Sequence, residues 1–208
     1  MTRPGQPPRI GVLGGTFDPV HNGHLYVANA LREALDLERI LWIPAGRPPH
    51  KTGQIVSSDR DRLAMLDLAL SGSAADQINT IDIERSGPSY TADTLEILAA
   101  CLAPARLFFL MGEDSLRDLP TWHDPERLLR AAELAVAARP GVDADLASIA
   151  RQIPSVLSRV HLVPSEEIAI SSSEIRQRVG EHRSIHGLVP APVEAYIRDH
   201  GLYTRQAP

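Results

Sequence analysis

The chain has 208 residues, of which 43% are hydrophobic and 23% charged, so it can form one globular domain with a sizeable core. Its formal net charge of −5 argues against a broad basic surface, and we expect no nucleic-acid partner. No apolar run approaches the length of a membrane span, and the lone Cys101 cannot form an internal disulfide. We therefore expect a cytoplasmic protein without a membrane partner, and we leave homo-oligomerisation open.

The N-terminal segment 1–8, MTRPGQPP, is rich in proline and lacks the apolar region of a signal peptide, so we expect a disordered tail. Residues 9–208 are expected to form a single domain. Short, mostly continuous apolar runs in this part are typical of strands that are covered on both faces. The predicted strands are Arg9–Gly14, Arg39–Pro44, Ile78–Glu84, Arg106–Gly112, Glu133–Arg139 and Arg159–Pro164.

Leucines at helical spacing lie between several of these runs, over Leu25–Leu35, Leu63–Leu70 and Leu95–Leu102. Strands that alternate with helices predict an α/β fold: a Rossmann-like, mainly parallel sheet with helices on both faces. Cys101 falls in the third helical pattern, where we expect a small buried side chain. Ligands of such sheets bind beyond the carboxyl ends of the strands.

The end of the chain predicts a small C-terminal helical segment. One helix begins at ISSSEIRQRVGE, and a shorter one in APVEAYIRDHGLY is opened by Pro192 and closed by Gly201. For 141–158 we predict only a helix and loops.

A pair of glycines, Gly14 and Gly15, ends the first predicted strand, and a helix is expected to start near Asn22. Two glycines permit a tight turn and bring backbone N–H groups close to a ligand. The helix N-terminus adds further N–H donors and the positive end of the helix dipole. The stretch is therefore a candidate anion site, although a simple tight turn would have the same glycines.

Two histidines, His21 and His24, lie one helical turn apart at this helix start. A lone histidine is usually structural, but two on one face of an anion-binding turn favour a functional site. Zinc is the rival ligand, but H-x-x-H has no obvious third ligand nearby. A dinucleotide-binding G-x-G-x-x-G does not match this register of glycines, so phosphate is the favoured partner.

The late stretch ISSSEIR predicts a second phosphate-binding helix start. Ser171 and Glu174 form a capping box, which by itself indicates only a well-capped helix. Ser172 and Ser173 add hydroxyl and N–H donors, and Arg176 can form a fork to phosphate. Two helix N-termini, two histidines and an arginine suit a nucleotide polyphosphate.

GGTFDPVHNGHL together with ISSSEIR resembles the nucleotidyltransferase superfamily marked by a His-x-Gly-His motif, and within it the bacterial nicotinate-mononucleotide adenylyltransferases. The resemblance runs from about Ile10 to Tyr203. Ser173 departs from it, since the family often has threonine there, and the N-terminal tail is longer. Further matching motifs are Pro44–Lys51, Pro88–Leu95, Met111–Leu116, Pro120–Asp124, Arg139–Gly141 and Val193–Tyr203.

The resemblance implies adenylyl transfer from ATP to nicotinate mononucleotide, with Mg2+, giving deamido-NAD and pyrophosphate in NAD biosynthesis. The alternative is a related nucleotidyltransferase that uses nicotinamide mononucleotide or another phosphorylated acceptor. The catalytic residues implied are His21, His24 and Arg176. ATP would be bound by Gly14, Gly15, Thr16, Phe17, Gly112, Asp114, Arg139, Ser172 and Ser173. Nicotinate mononucleotide would be bound by His50, Lys51, Tyr90, Thr91 and Trp122.

Several of these residues have an ordinary structural alternative. Lys51 could be a solvated loop lysine, Trp122 a core anchor and Asp114 a helix cap. No protein ligand is assigned to Mg2+, since Asp18 suits a turn as well as a metal. An acceptor phosphate is already ionised, so catalysis would rest on positioning and electrostatics, with nearby phosphates raising the pKa of the two histidines.

Overall fold

The computed structural model describes residues 5–46, 57–138, 145–166 and 169–204. A six-stranded sheet in the order β3-β2-β1-β4-β5-β6 forms its centre, and all of its pairings in these ranges are parallel. The predicted fold class is therefore confirmed. The strands are β1 Arg9–Gly15, β2 Arg39–Pro44, β3 Asp76–Ile78, β4 Arg106–Gly112, β5 Glu133–Ala138 and β6 Val160–Pro164.

Helices connect and flank these strands, and a 3-10 turn at Leu119–Thr121 directly follows the helix Glu113–Asp118. The helix expected near Asn22 begins there. The helices are α1 Asn22–Ala34, α2 Asp59–Leu70, α3 Ile81–Glu84, α4 Thr91–Cys101, α5 Glu113–Asp118, α6 Pro125–Ala131, α7 Leu146–Gln152, α8 Val156–Arg159, α9 Ser172–Gly180 and α10 Ala191–Asp199. No helix in the described ranges is long and apolar enough to cross a membrane.

The central strand β4 is apolar along its length because it has a hydrophobic core on each face. Leu107, Phe109 and Met111 face one core, and Phe108 and Leu110 face the other. Successive side chains of a strand point to opposite faces, so both sets must be apolar when both faces are covered. This is why the continuous apolar runs predicted buried strands.

Helices cover both faces of the sheet, as expected. Leu95 and Leu98 of α4 belong to the first core, and Ala28 and Leu31 of α1 belong to the second. The C-terminal helices α9 and α10 also pack on the second core, through residues such as Ile175. They thereby lie on the same side of the sheet as α1 and α2.

The predicted third strand, Ile78–Glu84, is wrong in extent. The strand ends at Ile78, and Ile81–Glu84 forms the short helix α3. The side-chain oxygen of Asn79 accepts a hydrogen bond from the backbone N–H of Ile81 at 3.0 Å, which begins a helical turn. The alternation of apolar and acidic residues in Ile81–Glu84 therefore predicted a strand where the chain forms a short helix.

The expectation for Cys101 is also wrong, because its side chain is exposed. It is the last residue of α4, and the next residue, Leu102, packs against the core instead. The other strand ends shift by one residue: β1 continues to Gly15, and Arg159 ends α8 rather than beginning β6. Arg139 lies outside the described residues.

The N-terminal tail is described only from residue 5. The carbonyl of Pro8 accepts a hydrogen bond from the backbone N–H of Arg106 at 2.8 Å, directly before β1. Of 141–158, the part from 145 onward forms α7 and α8, in agreement with the helix expected there.

Candidate active site

A cleft opens at the carboxyl ends of β1 and β4, which are neighbours in the sheet although β2 and β3 lie between them in sequence. This is the point where the strand order reverses, and ligands of open parallel sheets bind there. The cleft consists of two cavities of about 630 and 550 Å³. Both cavities are lined by Gly14, Gly15, Thr16, Phe109, Ser115 and Trp122.

The glycine turn lies at the junction of the two cavities. A Cβ atom on Gly14 would lie 3.5 Å from the Phe109 ring, which is an ordinary contact. A Cβ on Gly15 would lie 2.8 Å from the buried ring of Phe17, which is a clash. Gly15 is thus required by packing within the protein, whereas Gly14 leaves open space where the cavities meet.

We expect the two glycines to respond differently to alanine. Gly15→Ala overpacks a buried ring and should lower stability by about 1–3 kcal/mol. Gly14→Ala should melt close to wild type but lose roughly tenfold or more of its activity, because its methyl group enters the cavity junction. Thermal melts and steady-state kinetics of both variants measure this. Full activity of Gly14→Ala would show that no substrate approaches this strand end.

The two histidines are brought together as predicted. His21 is the N-cap residue of α1, and its ring stacks on that of His24 with centroids 3.6 Å apart. The Nδ1 of His24 accepts a hydrogen bond from the backbone N–H of His21 at 3.2 Å. A neutral His24 therefore carries its proton on Nε2, which makes that nitrogen the donor.

His21 is 6% exposed, and burial lowers its pKa to about 4. The higher pKa expected from nearby phosphates concerns the substrate-bound site and stays a prediction, whereas in the protein alone this imidazole is neutral at neutral pH. The reason is desolvation, which disfavours the charged form. An imidazolium would need the bound phosphates to outweigh this effect.

The second helix start, at α9, also reaches the first cavity. Ser171 caps the helix by accepting from the Glu174 N–H at 3.1 Å, while the Glu174 carboxylate pairs with Arg178. The Ser172 hydroxyl donates to the Pro19 carbonyl at 2.9 Å, so it holds the first loop rather than acting as a free ligand donor.

Arg176 lines the first cavity and bridges the two segments predicted to bind phosphate. One guanidinium nitrogen donates to the Asp18 carbonyl at 2.7 Å, and another to the Ser173 hydroxyl at 3.2 Å. The nearby Glu174 carboxylate bonds to Arg178. The planar guanidinium is held at one edge with its positive charge at the cavity wall.

Two more of the residues that the resemblance assigns to ATP lie at the carboxyl end of β4. Gly112 and Asp114 line the first cavity. The Asp114 side chain is 76% exposed and pairs with Arg117 at 3.0 Å. Ser115, which the sequence did not single out, lines both cavities.

The second cavity contains the start of α4, with Tyr90 and Thr91 in its lining. Tyr90 is the N-cap residue and makes no side-chain capping bond, and Thr91 is the first helical residue. Thr91 therefore does not cap its own helix, and within the described residues the Tyr90 side chain does not accept from the first N–H groups of α4. His50 and Lys51 lie outside the described residues.

Aromatic rings border this cavity. Trp122 lines both cavities and packs edge-on against Phe109 with centroids 5.9 Å apart, so it is both a core contact and a cavity wall. His123 stacks on Tyr90 at 4.1 Å and was missed. Its position beside Trp122 in PTWHD was the one available signal.

Asp82 is a second missed residue of this cavity. Its carboxylate accepts from the Thr94 hydroxyl at 2.5 Å and from Arg85 at 3.4 Å, and burial raises its pKa. The tertiary pairing of α3 with α4, which no local pattern shows, places it there.

The described residues contain no cluster of three or more histidine, cysteine or acidic side chains able to hold a metal ion. Asp18 is buried, and its carboxylate accepts from the Tyr203 hydroxyl at 2.7 Å and from the Ser57 N–H at 3.5 Å. The donor set therefore fits a Mg2+ ion carried on substrate phosphates better than one held in a protein cage.

The chain is similar to known proteins in both sequence and fold. The Cytidylyltransferase-like family model matches residues 12–178. A relative from Thermomicrobium roseum named "Probable nicotinate-nucleotide adenylyltransferase" is 52% identical and covers 94% of this chain and 91% of its own. A relative of the same name from Roseiflexus sp. is 43% identical and covers 93% and 97%.

Solved structures show the same fold. The nicotinic acid mononucleotide adenylyltransferase of Plasmodium falciparum, complexed with NaAD, superposes with a TM-score of 0.76 at 21% identity. The match covers 94% of this chain and 97% of that chain. The same protein complexed with APC gives a TM-score of 0.74.

Proposed function

Because the chain belongs to the cytidylyltransferase-like family and, within it, to the nicotinate-nucleotide adenylyltransferases, we propose how its cleft performs their reaction. The enzyme transfers the adenylyl group of ATP to nicotinate mononucleotide and forms nicotinate adenine dinucleotide and pyrophosphate. The observation that carries the assignment of substrates is the meeting of two cavities at Gly14–Thr16.

The first cavity is proposed to hold ATP. It is bordered by the N-termini of two helices, α1 and α9, and by the side chains of His21, His24 and Arg176. Helix N-termini and arginine suit phosphates, and Gly112 and Asp114, which also line this cavity, are proposed to form the adenosine side. Arg139 is proposed to join that side on the family resemblance alone.

The second cavity is proposed to hold nicotinate mononucleotide. Its lining combines the uncapped start of α4 with the rings of Trp122, Tyr90 and His123. A flat pyridine ring suits aromatic walls, and a carboxylate suits helical N–H donors. His50 and Lys51 are proposed to contact the acceptor phosphate from the family resemblance.

In the reaction, an oxygen of the mononucleotide phosphate bonds to the α-phosphorus of ATP. The bond from that phosphorus to the bridging oxygen breaks, and pyrophosphate leaves with the electron pair. The attacking oxygen is already ionised, so no general base is required. His24 Nε2–H and the Arg176 guanidinium are proposed to donate to the phosphate oxygens on which negative charge increases.

Mg2+ is proposed to enter with ATP. When bound, it supplies positive charge to the phosphate oxygens while keeping several of its waters. Asp18 is not proposed as its ligand, since Tyr203 and Ser57 already bond the two carboxylate oxygens. A cytoplasmic location and a possible homo-oligomer stay predictions from the sequence.

The test is release of pyrophosphate from ATP in the presence of a panel of phosphorylated acceptors. We expect turnover with nicotinate mononucleotide and none with ATP alone. Turnover with a different acceptor only would indicate another nucleotidyltransferase of the superfamily. ATP binding without pyrophosphate release would indicate a non-catalytic binding protein, and oxidation or reduction of NAD would indicate a dehydrogenase.

Arg176→Lys should reduce kcat/KM for ATP roughly tenfold or more, because lysine keeps the charge but loses the planar fork. Arg178→Lys is the matched control: Arg178 lies on the same helix and pairs with Glu174. We expect the control to keep its activity. A lowered melting temperature of Arg176→Lys with unchanged kcat/KM would make this arginine structural.

A further inference from the structure

The loop between β1 and α1, which contains Asp18, is hydrogen-bonded to the C-terminal part of the chain. We propose that Tyr203 is a positioning residue for adenylyl transfer, which acts through Asp18 to orient the Arg176 guanidinium. The inference rests on the proposed function, because it assigns Arg176 to the phosphates of ATP.

The first observation is the burial of Asp18. Its side chain is 1% exposed, and the Tyr203 hydroxyl donates to one carboxylate oxygen at 2.7 Å. The Ser57 N–H reaches the other oxygen at a longer 3.5 Å. A buried carboxylate needs such donors, and the short bond from Tyr203 is the stronger of these two.

Tyr203 is suited to donate permanently. Burial and the nearby charge of Asp18 raise the pKa of its phenol, so it stays protonated at physiological pH. Its backbone φ of 63° lies in the left-handed region, which is costly for a tyrosine. Such a conformation persists where the surrounding contacts determine it, and the bond to Asp18 is one of them.

Asp18 also contacts Arg176, through its backbone rather than its carboxylate. Its backbone carbonyl accepts the 2.7 Å hydrogen bond from Arg176. The preceding residue, Phe17, has a φ of 51°, so this turn is strained as well. A rotation of the Asp18 peptide would therefore move the acceptor that holds one edge of the guanidinium.

Other contacts keep the loop folded without holding Arg176. The buried Arg62 donates to the Thr16 carbonyl at 2.7 Å, and Ser172 donates to the Pro19 carbonyl. Loss of the Tyr203 hydroxyl should thus leave the loop in place but change the orientation of Asp18. Catalysis is sensitive to such small displacements of a charge-stabilising group.

The experiment begins with Tyr203→Phe, which removes only the hydroxyl. We expect kcat to fall roughly tenfold, with KM for nicotinate mononucleotide changed less than about twofold. Tyr196→Phe is the matched control: Tyr196 donates its hydroxyl to the Asp61 carboxylate at 3.0 Å, between α10 and α2, and lines neither described cavity. The control should keep wild-type kcat, which would show that loss of a tyrosine–carboxylate hydrogen bond elsewhere in the protein does not reduce activity.

A double-mutant cycle with Arg176→Lys separates positioning from a general loss of stability. If Tyr203 acts through the guanidinium, Tyr203→Phe should change kcat less than about twofold once Arg176 is lysine. Equal effects in both backgrounds, or an equal loss of kcat in Tyr196→Phe, would overturn the inference. Absence of adenylyl transfer by the unmodified enzyme would instead contradict the proposed function, which keeps the two failures distinct.

Discussion

Replacement of His24 by alanine should lower kcat by roughly a hundredfold or more, the largest effect expected from a single side chain of this site. The Nδ1 of His24 is engaged with the His21 N–H, so Nε2–H is the donor that we propose for a phosphate oxygen. The change removes this donor at the point where negative charge increases in the transition state. Steady-state kinetics at saturating ATP and nicotinate mononucleotide measure it.

Stability must be followed in the same experiment. His24 is half-buried and contacts His21 and Phe17, so its replacement should affect folding as well as turnover. Loss of the bond to the His21 N–H should cost about 1 kcal/mol of unfolding free energy. Asn22→Ala is the control, because it removes a 2.8 Å bond to the Gly187 carbonyl from the same turn. Near wild-type turnover of His24→Ala would contradict the phosphate site.

Nicotinate mononucleotide should be preferred over its nicotinamide counterpart by roughly a hundredfold or more in kcat/KM. The two acceptors differ by a carboxylate in place of an amide. The first N–H groups of α4 are donors only, and Tyr90 does not cap them. A carboxylate can accept from them, whereas the NH2 of an amide would face donors.

The backbone donor can be removed selectively at Thr91. Thr91→Pro deletes the N–H of the first helical position, where proline is tolerated, and the extended ψ of 128° at Tyr90 suits a following proline. We expect this variant to lose about tenfold of the acid preference, since a hydrogen bond to a charged group is involved. Thr91→Ala, which keeps the N–H, should retain the preference. Equal use of both acceptors by the wild type would place the carboxylate elsewhere.

The features that could be predicted from sequence are those that are local. The strands Arg39–Pro44 and Arg106–Gly112 match at both ends, because burial on two faces demands an unbroken apolar run. His21, His24 and the glycine turn were found because one loop and one helical turn hold them. The prediction of the third strand was wrong after Ile78, because the Asn79 side chain bonds to the Ile81 N–H and starts a helix. An alternation of apolar and polar residues does not reveal such a bond.

The residues that were missed are brought to the site by tertiary structure. Asp82 faces the second cavity because α3 packs on α4 through Thr94. His123 stacks on Tyr90 from a loop more than thirty residues further along the chain. Neither follows from periodicity, since both depend on how separate elements meet at the end of the sheet.

The two hydrogen bonds to Asp18 from the C-terminal part of the chain also affect when the folding protein completes the candidate site. Arg176 and Tyr203 reach Asp18 across 158 and 185 residues of sequence. Contacts of such separation require a long segment of chain to be closed, which costs conformational entropy. A nascent chain that has already exposed its histidine motif therefore lacks both bonds until Tyr203 has been synthesised, and we expect competence for ATP only after the C-terminal helices have docked.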